Sequence, residues 1–183
     1  IKDEMVGKLK ERAEKIKQGN PLDPATTMGA MVDVDHAKKV EEFLNVGKAE
    51  AKLITGGDRF SINDSDAFIQ PTIFADVPED ATIARDEIFG PVLAIQTFDT
   101  EDEAIKMANK SIYGLAASVW TSDLARAMDL SDKLHVGTVS VNTVDALSAM
   151  TPFGGMKQSG FGRDLSIHSF DKYTALKLSL IHI

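Results

Sequence analysis

The chain has 183 residues, 43% apolar and 26% charged, enough to bury one good core with a small appendage, so one domain is the default expectation. A formal net charge of −8 and a pI near 5.0 disfavour non-specific contact with nucleic acid or an anionic membrane, since both would repel the chain. Cysteine is absent, excluding disulfides, thiolate metal sites and a cysteine nucleophile within these residues, and with neither a ~20-residue apolar run nor a signal-peptide pattern the reading is a soluble, cytoplasmic protein.

The chain opens at Ile1 in what reads as the middle of a helix, as a piece of something longer would. Ile1, Met5, Leu9, Ala13 and Ile16 recur at steps of three and four, giving a surface helix packed on a core and ended by Gly19 and Pro21. Asn20 to Met28 is a turn-rich connector. A second helix is predicted from about Asp33 to Leu44, capped by Asp33 or Asp35, with Ala37, Val40, Phe43 and Leu44 buried and His36 as a solvated polar residue near its start.

Ala51 to Thr55 reads as a short strand closed by Gly56 and Gly57, and SINDSD as a polar loop. Ala67 to Val77 is extended but interrupted by Pro71, which argues for placing this segment and Ala51 to Thr55 together toward a sheet edge. An acid-rich connector follows to Asp86. Strands are then predicted over Val92 to Phe98, Leu115 to Trp120 and Val136 to Asn142. The first helix between them starts at a capping box, Thr100 with Glu103, and the second at Ser122 or Asp123. This β-α-β-α-β order predicts an α/β fold with an open, mostly parallel, twisted sheet and helices on both faces.

From Thr138 to Arg163 an apolar strand runs out into a glycine-rich loop, and in open α/β sheets ligands bind beyond the carboxyl ends of the strands. On spacing alone the stretch reads equally well as an ordinary surface loop. Beyond Arg163 the chain is irregular until Tyr173 to Ile183, which alternates enough for a terminal strand; its exposed apolar face predicts cover by another subunit or domain.

GGMKQSGFG has neither the lysine and hydroxyl of a Walker A loop nor the spacing of a dinucleotide fingerprint. His36, His135, His168 and His182 are scattered without carboxylates at ligand spacing, so no zinc site is expected. Ser159 lies in QSGFG, the setting of a turn residue rather than of a nucleophile elbow.

Several separate motifs do carry a resemblance: GNPLDPATTMG at Gly19 to Gly29, EIFGPV at Glu87 to Val92, YGLAASVWT at Tyr113 to Thr121, the Val141–Asn142 pair, and PFGGMKQSGFGR at Pro152 to Arg163. In this order and spacing, and up to about Lys177, the chain resembles the carboxy-terminal part of NAD(P)-dependent aldehyde dehydrogenases. The resemblance implies oxidation of a small-molecule aldehyde to an acid by NAD or NADP through a cysteine thiohemiacetal, with the cysteine, the general-base glutamate and the Rossmann domain all preceding Ile1. Residues 1–163 would then be a catalytic-domain portion without a catalytic residue of its own, and 164–183 a tail whose strand joins a homodimer or homotetramer. Alone, the chain would be inactive.

Carried over position by position, the resemblance makes Glu87 an acceptor for the nicotinamide ribose hydroxyls and Phe89 the aromatic beside them. Without it, Glu87 reads as a solvated acid among Glu79, Asp80 and Asp86. Phe153 would wall the aldehyde tunnel, a role compatible with core packing, and Asp145 and Leu147 would shape substrate choice, Asp145 favouring a cationic aldehyde. Asn142 reads as the holder of the strand-to-loop turn. The loop DALSAMTPFGG resembles enzymes of aminoaldehydes such as γ-glutamyl-aminobutyraldehyde. Ala30 in place of a proline and the ending LSLIHI depart from the family. Two other readings remain: a non-catalytic interaction module of the same fold, and an acylating or acyl-phosphate-reducing relative.

Overall fold

Asp33 starts helix α2 by accepting the His36 N–H at 2.7 Å, which fixes where an amphipathic run of apolar residues begins to turn. The structure, a computed structural model, describes residues 1–144 and 146–182, and their contacts fall into two compact units, Ile1–Phe98 and Asp99–Ile183. In the first unit, α1 (Lys2–Glu14) precedes α2 (Val34–Glu50). The stripe on α1 is half-buried only from Leu9 onward; Ile1 and Met5 are exposed, and the helix ends well before Gly19.

Helix α2 outruns its expected end at Leu44. Gly47 explains why, because a Cβ there would lie 2.7 Å from the ring of Phe74, so the glycine lets a fully buried aromatic lie against the helix. With Ala37, Val40, Leu44, Ile69, Ile83 and their neighbours, Phe74 makes the core.

Strand β1 (Lys52–Thr55) is followed by a hairpin of β2 (Arg59–Ile62) and β3 (Ser65–Ile69), then by β4 (Thr72–Ala75) and, after helix α3 (Thr82–Arg85), β5 (Val92–Ala94). The stretch read as a polar loop is thus the hairpin turn, with Asn63 and Asp64 both left-handed at φ 49° and 63°, as a tight hairpin turn requires. The edge placement of Ala67 to Val77 is corrected. Pro71 sits between β3 and β4, outside both, so it removes no ladder bond, and β4 is the central strand of the order β1-β4-β5, with all four of its residues buried. It runs antiparallel to β1 and parallel to β5. Glu50, at the end of α2, caps α3 by accepting from the Thr82 N–H at 2.8 Å and the Thr82 hydroxyl at 2.7 Å, and these bonds hold its carboxyl below the ordinary 4.5.

In the second unit, Thr100 and Glu103 form the expected cap of α4 (Glu101–Lys110): the Thr100 hydroxyl accepts from the Glu103 N–H at 3.2 Å and Glu103 from the Asp99 N–H at 2.9 Å. Strand β6 (Tyr113–Gly114) pairs antiparallel with β9 (Met156–Lys157). Strand β7 (Ala116–Val119), helix α5 (Leu124–Lys133), which Asp123 caps, and β8 (Thr138–Val141) make a β-α-β unit with parallel strands. A 3-10 helix spans Ile167–Lys172.

Of the strand expected over Tyr173 to Ile183, no part is formed among the described residues. A strand needs a neighbour for its N–H and C=O groups, and among the described residues Thr174 to His182 has none; Leu176, Leu178, Leu180 and Ile181 stand exposed. Among the described residues, no helix is long and apolar enough to cross a membrane.

Candidate active-site elements

In the first unit the segment Glu87–Pro91 has its backbone clasped while two of its side chains face solvent. Ile88 packs against the core, and the Pro91 carbonyl accepts from the Thr72 N–H at 2.9 Å where β4 begins. Two successive tight turns, Gly90 N–H to Ile88 carbonyl at 2.7 Å and Val92 N–H to Gly90 carbonyl at 2.8 Å, compact the segment. Gly90 lies flat against α2, where an added Cβ would come within 2.9 Å of Val40. His36, one turn earlier on α2, donates from Nε2 to the Phe89 carbonyl at 2.6 Å, and its ring meets the Phe89 ring edge-on at 6.2 Å.

The result is an aromatic ring 72% exposed on an immobilised backbone, two residues from the exposed carboxylate of Glu87, which makes no hydrogen bond or ion pair among the described residues. A carboxylate in that state has both oxygens available for paired hydroxyls. The reading of His36 as a merely solvated side chain is corrected: 53 positions separate it from Phe89 in the chain, so no local pattern could reveal the contact.

In the second unit the strand-to-loop junction is held by Asn142, as expected from the sequence. Its backbone is left-handed at φ 54°, and its side-chain amide pairs with Thr121, accepting from the N–H and donating to the carbonyl, both at 2.9 Å. That bidentate contact continues the β7–β8 pairing by one step after the ladder ends at Val141.

The loop then returns over the strands. Phe153 and Asp164 exchange backbone bonds at 2.9 and 2.7 Å, and Asp164 pairs with Lys172, whose ammonium is thereby held above its ordinary range. The Arg163 guanidinium donates to the carbonyls of Gly155 and Gly162 at 3.0 and 2.7 Å. Gly137 and Gly154 touch so closely that a Cβ on Gly137 would stand 1.6 Å from the Gly154 oxygen. Ser159 accepts from the Gly114 N–H at 3.0 Å, the work of a turn residue.

Leu147 and Phe153 converge on one hollow of about 230 Å³, whose other wall is the β7–β8 face with Ala116, Ser118, Thr138 and Ser140. The Ser118 hydroxyl donates to the Thr143 carbonyl at 2.6 Å, tying the loop to the strands at the rim. The hollow is apolar on the loop side and hydroxyl-lined on the strand side, the make-up of a site for a small organic molecule with one polar end. Asp145, the third residue read from this loop, lies outside the described residues. Among those described, no group of three or more His, Asp or Glu side chains could hold a metal ion.

Residues 1–179 match the Aldehyde dehydrogenase family. The chain belongs to the aldehyde dehydrogenase family. It is 46% identical over 177 residues to the NADP/NAD-dependent aldehyde dehydrogenase PuuC of Escherichia coli, an overlap of 97% of this chain and 35% of PuuC. Among solved structures it superposes with TM-score 0.94 on the indole-3-acetaldehyde dehydrogenase AldA of P. syringae in complex with NAD+ and IAA, at 46% identity over 97% of this chain and 36% of AldA. The gamma-glutamyl-gamma-aminobutyraldehyde dehydrogenase of Burkholderia cenocepacia gives TM-score 0.93 at 48% identity, again over 97% of this chain and 36% of its own. The chain thus spans little more than a third of the length of these aldehyde dehydrogenases. The α/β class expected from the sequence stands.

Proposed function

We propose that this chain is the carboxy-terminal portion of a soluble, cytoplasmic enzyme that oxidises an aldehyde to a carboxylic acid with NAD+ or NADP+. Residues 1–163 would belong to the catalytic domain, and 164–183 would form the tail that adds a strand to another subunit of a homo-oligomer. The observation that carries the reading is the convergence of Leu147 and Phe153 on one hollow beside the β7–β8 face, a meeting that spacing in the sequence does not dictate.

The cofactor reading rests on the carboxylate of Glu87, unpartnered among the described residues, and on the exposed ring of Phe89, which fit a ribose and an adjoining planar ring. When bound, the dinucleotide would supply the hydride acceptor. Glu87 would accept hydrogen bonds from both ribose hydroxyls, and Phe89 would cover a ribose face and keep water from it. On the aldehyde side, Leu147 and Phe153 would exclude water and orient the carbon chain. The two solved structures above are named for aldehydes of very different chemistry, so identity alone does not choose a substrate. The acid at position 145 supports a cationic aminoaldehyde.

The test is an assay of the full-length protein containing this chain with NAD+ and NADP+ against an aminoaldehyde and a neutral aldehyde of equal length. Dinucleotide-dependent formation of the acid is the expected result, and none with either aldehyde would reject the reading. The 183-residue chain alone should neither turn over nor bind NAD+ measurably, since Glu87 and Phe89 by themselves cannot supply the pyrophosphate contacts. Asp145→Ala should raise KM for the aminoaldehyde more than for the neutral one; equal shifts would remove the acid from substrate choice.

A further inference from the structure

The first unit holds a second hollow, of about 340 Å³, that neither the cofactor reading nor the aldehyde reading uses. It opens where the last turn of α1 meets the end of β1 and the β2–β3 hairpin, and Glu14, Gln18, Thr55, Gly56, Phe60 and Gln70 supply most of its wall. We propose that this hollow binds a small primary alkylammonium ion, whose N–H groups meet the side-chain oxygens of Glu14, Gln18 and Gln70 while its carbon stem lies along Phe60 and Pro71.

The wall is rich in acceptors whose capacity the fold leaves unspent. Gln18 donates from Nε2 to the Ile69 carbonyl at 2.8 Å, which leaves its Oε1 to accept. Gln70 is half-buried with its backbone tied at both ends, the N–H to the Asp58 carbonyl at 3.0 Å and the carbonyl to the Thr72 hydroxyl at 2.7 Å, yet its side-chain amide has no partner among the described residues. Glu14 has only long contacts, with the Thr55 hydroxyl at 3.4 Å and with the Lys10 ammonium at 3.8 Å, and the two charged side chains are about half exposed, so a better-placed cation can displace Lys10. Ala13 and Glu14 close α1, and the C-terminal end of a helix carries partial negative charge. No Lys, Arg or His lines the hollow, which disfavours an anion, and a single carboxylate beside two amide oxygens and an apolar wall suits a singly charged organic cation better than a metal ion. The wall is also preorganised. Gly56 is left-handed at φ 73° and a Cβ there would stand 2.3 Å from the Pro71 oxygen, while the Phe60 ring rests against Phe68 at 5.9 Å and Gln18 is bridged to Met28.

The test is calorimetric titration of the full-length protein containing this chain with n-butylammonium chloride at constant ionic strength. Saturable one-to-one binding is expected. Tetramethylammonium, a cation without N–H groups, should bind about tenfold more weakly, and 1-butanol, the stem without the charge, should show no saturable binding. Glu14→Gln keeps an oxygen and loses the charge, and should weaken n-butylammonium about tenfold; Gln70→Leu loses one acceptor and should weaken it about threefold. Glu14 is about half exposed, so the thermal midpoint of Glu14→Gln should match wild type. Glu42→Gln, which removes the same charge from an exposed position on α2, should leave the affinity unchanged, and so should Phe153→Ala in the aldehyde hollow. Absence of saturable binding to the unsubstituted protein would overturn the proposal. Equal losses in Glu14→Gln and Glu42→Gln would overturn it as well, since they would mark attraction to the overall negative charge. So would loss in Phe153→Ala with normal binding in Glu14→Gln, which would place the ion in the aldehyde hollow, or tetramethylammonium binding as tightly as n-butylammonium.

Discussion

The two units hold their shapes by different means. Among the described residues, every buried apolar side chain except Val119 and Ala127 belongs to Ile1–Phe98, where α2 and β4 close over Phe74. In Asp99–Ile183 the shape comes instead from polar clamps, Asn142 on Thr121 and Arg163 on two glycine carbonyls, and from the close backbone approach of Gly137 to Gly154. Burial is non-directional and tolerates small shifts, while hydrogen bonds to backbone set positions to within tenths of an ångström. The first unit therefore offers side chains from a stiff scaffold, whereas the second depends on its clamps to keep Leu147 and Phe153 facing one hollow.

Substitutions can break this contrast. The largest loss should come from Phe74→Ala, which empties the centre of the first unit and is expected to cost about 3–5 kcal/mol in chemical unfolding. Amide exchange should quicken along α2 and β4. A loss under about 1 kcal/mol, the range of a surface substitution, would show that the first unit does not rest on this core. Next is Gly137→Ala, for which the Gly154 backbone must move; about 2–3 kcal/mol is expected, with the change appearing in the amide signals around Phe153.

Asn142→Ala should follow at about 2 kcal/mol, from two bonds to Thr121 and a strained left-handed alanine. Asn142→Gly relieves the strain but not the lost bonds, so it should fall between wild type and alanine. Equal stability of all three would mean that the clamp is idle. The single tryptophan, Trp120, is next to Thr121 and gives a fluorescence signal for this measurement.

The smallest effect sharpens the contrast through pH. Glu50 is held below its ordinary 4.5 by bonds from Thr82, so its contribution is complete above that value and fades as pH falls through the lower folded-state value. Glu50→Gln should therefore lower the unfolding midpoint at neutral pH, and the gap to wild type should close in acid. A gap that stays constant or widens as pH falls would contradict the assignment.

Much of this was legible in the sequence where the cause is local. The Thr100 cap, the β-α-β unit from Ala116 to Val141 and the turn-holding role of Asn142 all follow from residues within a few positions of one another, and the structure chooses Asp33 over Asp35 and Asp123 over Ser122 as the other two caps. What escaped depends on distant partners. The central place of β4 was hidden because Pro71 marks a break between two strands rather than an edge, and the length of α2 because Gly47 is suited to helix only with Phe74 beside it. The contact of His36 with Phe89 needs the whole first unit to be folded before it exists. For the tail, alternation in the sequence names no pairing partner, and among the described residues Thr174 to His182 forms no strand.

Kinetics of Glu87→Gln and Phe153→Ala in the full-length protein test the division of labour most directly. The account predicts a crossed result: about tenfold higher KM for the dinucleotide with Glu87→Gln at unchanged aldehyde KM, and about tenfold higher KM for the aldehyde with Phe153→Ala at unchanged dinucleotide KM. Both substitutions moving both constants together, or neither moving any, would contradict it.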